Sequence, residues 1–189
     1  MNFNTHIKLK DKHAMLGASS YHWINYTQDK MIEYFRKSQA KALGTKLHDL
    51  ASKCIKLNQR LPEEPRTLNM FVNDALAFKM SSEQVLYYSD NCFGTADAIS
   101  FRKEKLRIHD LKTGTTPAHF EQLIIYAALF CLEYHIKPGD IQIELRIYQN
   151  NEVIIKNVTA VDVLPVMDKI RKFSKLIDRL KDEEGIGID

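Results

Sequence analysis

EQVLYYSDNCFGTADAISFRKEKLRIHDLKT, residues 83–113, is the stretch on which the fold turns. Its apolar residues abandon the three- and four-residue spacing of the preceding segments. They fall into short runs rich in Val, Ile, Tyr, Phe and Thr: EQVLYYS (83–89), FGTADAISFR (93–102) and KLRIHDLKT (105–113). Turn-forming residues part the runs, Ser89-Asp90-Asn91 after the first and the charged stretch 102–105 after the second. The pattern predicts three consecutive strands in a meander.

Outward from this stretch the period becomes helical. In YHWINYTQDKMIEYFRK (21–37), Trp23, Tyr26, Met31 and Tyr34/Phe35 approximate one helical face, with Ser19 or Ser20 placed to cap it. Leu43, Leu47, Leu50, Cys54 and Leu57 predict a second helix from about 39 to 57. Beyond the two prolines of LPEEPRT (61–67), LNMFVNDALAFKM again has helical spacing up to about Met80. On the C-terminal side Pro117 opens AHFEQLIIYAALFCLEYHI, a helix by length, which Pro138-Gly139 ends. DIQIELRIYQ alternates at period two and turns through Asn150-Asn151 into EVIIKNV, a hairpin signature. Leu164, Met167, Ile170, Phe173, Ile177 and Leu180 define a last amphipathic helix from about 160 to 181. The order of elements predicts an α/β or α+β domain: a helical first third and one central mixed sheet flanked by helices.

At 189 residues and 44% hydrophobic, the chain can bury one substantial core and is short for two full-sized domains. No repeat or Pro/Gly/Ser linker marks a boundary, so a single domain, 1–189, is expected, with a helical part about 13–80, a sheet-bearing core about 81–160 and the final helix about 160–182. A net charge of +3 permits a nucleic-acid partner without arguing for one. No run approaches the 18 apolar residues of a membrane span, and MNFNTHIKLKDKH (1–13) lacks the apolar core of a signal peptide; a cytoplasmic location is expected. Cys54, Cys92 and Cys131 are odd in number and widely spaced, which disfavours a disulfide framework and a zinc site.

Chemistry gathers on the second and third strands. Asp97 lies in FGTADAIS, and thirteen residues on comes Asp110-Leu111-Lys112. Strand alternation turns Asp110 and Lys112 to one face and Leu111 to the other. With Asp97 across from Asp110, two carboxylates can share a hard, oxygen-seeking cation, with the Leu111 carbonyl as a further oxygen. Such a cation polarises a phosphate and acidifies a bound water, while Lys112 orients that water or offsets growing negative charge. Gly94 leaves room for a close approach, and Gly114 permits a sharp exit from the strand. Alone, a D-x-K pattern is equally a solvated strand face or a surface ion pair.

Four blocks, GTKLHDLA (44–51), GTADAI (94–99), IHDLKTG (108–114) and QLIIYA (122–127), together resemble the PD-(D/E)XK nuclease superfamily in its RecB-like branch, which includes phage-encoded exonucleases. HAMLGASSYHWINY (13–26) is also similar to the opening of certain phage proteins with this core, so the likeness reaches from about 13 to 126. The resemblance implies a restriction-endonuclease-like fold and metal-dependent hydrolysis of DNA, in exonuclease mode, in phage-type processing or recombination. It implies His48 as a helix-borne metal ligand, Asp97 and Asp110 as carboxylate ligands, and Lys112 as the catalytic lysine. Gln122 and Tyr126 match the branch's Q-x-x-x-Y motif and are implied to position the lysine, the metal site or the DNA backbone. Mg²⁺ or Mn²⁺ is the implied cofactor, and DNA the implied partner, with a recombination or annealing protein as a second. The branch's iron–sulfur cluster needs four thiolates; Tyr26 stands in the place of its N-terminal cysteine and no cysteine follows Cys131, so no cluster is expected. Ala96 stands where the nominal motif has proline.

Each of these residues also has a plainer reading. His48 can pack on a helix surface, and Glu83, a candidate supplementary ligand or general base, can be an exposed strand-end glutamate. Tyr126 sits in an apolar helix that suits core packing, whereas Gln122 in the same helix needs a polar partner if buried. His119, Lys46 and Arg107 are candidates for phosphate contacts or solvated faces, and Trp23 for base stacking or core. Two other functions stay open: a catalytically silent DNA-binding or assembly module on a nuclease fold, and an RNA-directed nuclease.

Overall fold

A computed structural model describes residues 14–16 and 18–185. The reading of 1–13 as free of a leader segment lies outside the described residues, as do His13 and Gly17 of the opening block. The chain divides into two compact units, Met1–Leu43 and Gly44–Asp189.

In the first unit a 3-10 helix, Ala18–Asn25, precedes α1, Gln28–Lys56, whose remainder belongs to the second unit. The two expected N-terminal helices are therefore corrected to one long helix that starts seven residues later, at Gln28. Nothing between Lys37 and Gln39 breaks it, and Thr27, not Ser19 or Ser20, stands at its start: Thr27 Oγ1 accepts the Lys30 amide at 3.3 Å. A Glu33–Lys37 pair at 2.7 Å and an edge contact of Tyr26 with Tyr34 support the first turns. Trp23 is half-buried.

The second unit is an α/β arrangement around a five-stranded mixed sheet in the order β1 (Ser81–Ser89), β2 (Cys92–Arg102), β3 (Lys105–Leu111), β4 (Gln142–Gln149) and β5 (Glu152–Val158). The meander β1–β2–β3 is antiparallel as its sequence indicates. Two of the three tight turns, Lys103-Glu104 and Asn150-Asn151, each hold two positive-φ residues, the geometry that matches hairpin twist. Between β3 and β4 the chain crosses over through α3 (Glu121–Glu133), so this pair is parallel. Helix α3 starts later than Pro117 suggests, because Gln149 Nε2 donates to the Gly114 and Thr116 carbonyls and holds that segment out of helical form.

Each face of the sheet buries its own cluster. On one, Leu106, Ile108, Ile143, Leu145 and Ile147 pack with Leu123, Ala127 and Cys131 of α3 and Val163, Met167 and Ile170 of α4 (Ala160–Glu184). On the other, Ala98, Leu111 and Tyr148 pack with Ala51, Cys54 and Ile55 of α1 and Phe71, Val72 and Ala75 of α2 (Thr67–Ala77). Among the described residues no helix is long and apolar enough to cross a membrane.

One irregularity decides where the chemistry sits. Ser82 meets Ser52 of α1 at 3.1 Å, and its cross-strand neighbour Ala98 packs on that same side. Alternation would keep the next pair, Gln84 and Ala96, on the α1 side as well. Ala96 instead packs with Leu86 and Leu123 on the α3 side. Both strands thus exchange faces at one step, and that step is occupied by Glu83 and Asp97. Glu83 absorbs the change with a left-handed backbone, φ 52, which a non-glycine residue adopts at a cost.

Leu145 is fully buried at the centre of the larger cluster. Leu145→Ala is expected to lower stability by about 2–5 kcal/mol in urea unfolding. Val161→Ala, at an 81% exposed site, is expected to stay within about 0.5 kcal/mol.

Candidate functional site

The strand register builds the site. Ser82 pairs with Ala98 and Gln84 with Ala96, so Glu83 lies across from Asp97. Ala98 pairs with His109, and one further step sets Asp97 across from Asp110. Three carboxylates therefore form a row across three strands, at the step where β1 and β2 change faces. Asp97 splits its oxygens between two neighbours. Oδ2 accepts the Leu111 amide at 2.8 Å, and Oδ1 lies 3.4 Å from Nδ1 of His48, which α1 brings over the row. His48, Glu83 and Asp97 each place one ligand atom within 4.8 Å of the others.

Asp110 belongs to an adjoining chain of polar contacts. It is buried, and Lys112 Nζ donates to its Oδ1 at 3.1 Å while standing 3.0 Å from Oδ2. Oδ2 meets no hydrogen-bond donor in good geometry, and the Lys112 ammonium is its charged neighbour. Lys112 Nζ also donates to Gln122 Oε1 at 2.9 Å, and Gln122 Nε2 donates to the Tyr126 hydroxyl at 3.1 Å. Gln122 and Tyr126 sit one turn apart on α3, which is why one side chain reaches the other. Gly94 makes room for the last link: a Cβ there would meet the Tyr126 ring at 2.9 Å.

Burial and crowding of like charge set the proton affinities. Burial, then the nearby Asp97, raises the Asp110 carboxyl above its ordinary value against the pull of Lys112. Glu83 is raised by burial and by Asp97. The hydrogen bond to Asp97 raises His48. Burial leads for the two carboxyls and the hydrogen bond for His48, with the negative charge of Asp97 contributing to all three. Two carboxylates and an imidazole are a donor set for a hard or borderline divalent ion, and the nitrogen favours Mn²⁺ over Mg²⁺.

The structure brings together His48, Glu83, Asp97, Asp110, Lys112, Gln122 and Tyr126. Leu111 takes part through its amide, with its side chain buried in the α1–α2 cluster. Gln122 is exposed in the first turn of α3 and has a polar partner in Lys112. One expectation changes. Arg107 is neither on a solvated face nor set for a phosphate: it stacks 4.5 Å over Phe78 and lies 3.4 Å from Glu144. His119 and Lys46 are exposed.

Sequence reading missed a polar layer behind the site. Tyr148 Oη and Arg146 both donate to Asp74 Oδ2, at 2.7 and 2.9 Å, and Arg146 also donates to Glu144. Tyr148 Oη is 3.1 Å from Nδ1 of fully buried His109, whose pKa burial lowers to about 3. The signal was present as alternating polar residues on β4. Only the packing of α2 shows that they are covered.

Comparison with known proteins brings no match to a family profile, a curated protein or a solved structure. The functional reading stands on residues and their geometry.

The shifts fix the sign of two pH effects in metal-free protein. Ionised Asp110 is a net cost to the fold above its raised pKa, and the cost vanishes below its ordinary value of 3.8. Asp110→Asn is therefore expected to raise stability near neutral pH by about 0.5–2 kcal/mol, the gain disappearing below about pH 4. His48 contributes stability below its ordinary 6.5 that is lost as pH rises through its raised pKa. His48→Gln should flatten that part of the profile, read from thermal unfolding in EDTA across pH 5 to 9.

Proposed function

We propose that this chain is a metal-dependent nuclease hydrolysing phosphodiester bonds in DNA, on a restriction-endonuclease-like core. The observation that carries the reading is the convergence of His48, Glu83 and Asp97 within 4.8 Å beside the Asp110–Lys112 pair. A helix and three strands supply these groups, a constellation that a solvated strand face has no reason to assemble.

The residues divide the work. His48, Glu83 and Asp97 would hold Mg²⁺ or Mn²⁺, with Asp110, paired to Lys112, as a further carboxylate beside them. A bound divalent ion supplies Lewis-acid polarisation of the phosphate and a water acidified to hydroxide near neutral pH. Lys112 is steered from both sides, by Asp110 and by Gln122, so its ammonium is fixed where negative charge grows on the phosphate. Tyr126 anchors Gln122 and thereby sets the position of Lys112. If Glu83 stayed off the ion, its carboxylate beside Asp97 would be placed to accept a proton from the attacking water. With three cysteines in the chain, no iron–sulfur cluster enters the proposal. Exonuclease action, a place in phage-type DNA processing in the cytoplasm, and an annealing or recombination partner follow from the family resemblance.

Purified protein is expected to degrade linear DNA with Mn²⁺ or Mg²⁺ and not with EDTA. Lys112→Ala should cut the rate by about 10² to 10³ and Asp97→Asn by at least as much, with unchanged circular dichroism. A wild-type protein inert toward linear, nicked, circular and single-stranded DNA with both metals would assign the fold to a silent binding module. Faster cleavage of labelled RNA than of DNA would assign it to RNA.

A further inference from the structure

Beside the proposed site lies a cavity of ≈ 220 Å³ between α1, α2 and the segment leaving β3. Leu47, Leu68 and Leu111 form its apolar walls, Thr113 and Asn150 add polar side chains, and Lys112 borders it. Lys112 thus borders both this cavity and the carboxylate row.

The walls are held by contacts that serve no catalytic role. Thr113 is seated against α1 at Gly44, where a Cβ would meet its Oγ1 at 2.7 Å. The Lys112 amide donates to the Tyr148 carbonyl at 2.9 Å, and Gln149 fixes the carbonyls of Gly114 and Thr116. On the opposite side, the Asn151 amide donates to Thr67 Oγ1 at 2.8 Å while the Thr67 amide donates to Asn151 Oδ1 at 3.0 Å, which ties the β4–β5 turn to α2. A cavity closed by five such bonds and a notched helix is set before any ligand arrives.

Its size and chemistry narrow the occupant. The volume is under the roughly 300 Å³ at which pockets for drug-sized ligands begin, so it suits a single ring system. Apolar walls suit the faces of a flat heteroaromatic ring, and a hydroxyl and a carboxamide suit its polar edge. We propose that this cavity takes the base of the nucleotide next to the scissile phosphate, and that the enzyme therefore cuts at unpaired nucleotides, in single-stranded DNA or at frayed ends. A base within a duplex would have to leave its stack and its partner to enter, a cost that is least where the strand is already unpaired. The inference rests on the nuclease reading above and narrows its substrate.

The test uses single-stranded oligonucleotides carrying one abasic residue at successive positions, with Mn²⁺. Wild-type cleavage is expected to fall about tenfold or more when the abasic residue flanks one side of the cut bond, and to be unaffected when it lies farther away. In Leu68→Trp, whose indole fills the cavity, intact and abasic strands should be cut at one common, slower rate. Thr113→Val, which keeps the shape and removes the hydroxyl, should reduce the preference partway and covers the case in which Leu68→Trp fails to fold. Equal wild-type rates on intact and abasic strands, or faster cleavage within blunt duplex than in single strands, would overturn the base pocket and leave the nuclease reading standing. No cleavage of any strand would overturn both.

Discussion

Glu83, Asp97 and Asp110 lie in one row across three neighbouring strands, and the repulsion between them is the constraint to which the surrounding structure answers. Two unit charges 4 Å apart at an effective dielectric of about 20 interact by roughly 4 kcal/mol, and Asp110 is also buried. The fold meets this with partners at the middle and at one end of the row. His48 stands over Asp97, and Lys112 lies against Asp110. Burial raises the proton affinity of Glu83 and Asp110, and the neighbouring Asp97 adds to both, so holding the row ionised still costs the fold. A divalent ion at the row would add positive charge there.

The backbone accepts strain to put the carboxylates there. A regular β1–β2 pair would send Glu83 and Asp97 to one face, toward α1 or toward α3. The left-handed turn at Glu83 instead sets both residues at the crossing, open to a histidine from one side of the sheet and a lysine supported from the other. Two glycines let the flanking elements close in: Gly44 receives Thr113, and Gly94 receives Tyr126. Behind this, the Asp74–Arg146–Tyr148–His109 layer fixes β3 against β4 without reaching the site.

The sheet was legible because its strands differ in period from the helices around them, and the Asn150-Asn151 turn fixed one hairpin outright. Asp97, Asp110 and Lys112 were legible from strand alternation, and His48, Gln122 and Tyr126 from short blocks of family likeness. What stayed hidden depends on tertiary contact. Nothing local tells that α1 runs unbroken past Lys37, since a serine and a glutamine there neither forbid nor demand helix. Glu83 is a candidate ligand from the sequence, but its place beside Asp97 depends on the cross-strand register. The cover over Arg107 and Arg146 depends on α2 and Phe78, and the base-sized cavity on how three separated segments meet.

Coordination of Mn²⁺ tests the central claim most directly. Titrated into the protein and followed by electron paramagnetic resonance, the signal of the free ion should disappear at low stoichiometry. Pulsed measurement should then detect one imidazole nitrogen on the bound ion, absent in His48→Gln, while Glu83→Gln and Asp97→Asn weaken the affinity. An ion that stays free at millimolar protein, or one bound equally well by all three variants, would contradict a metal site at the row of carboxylates.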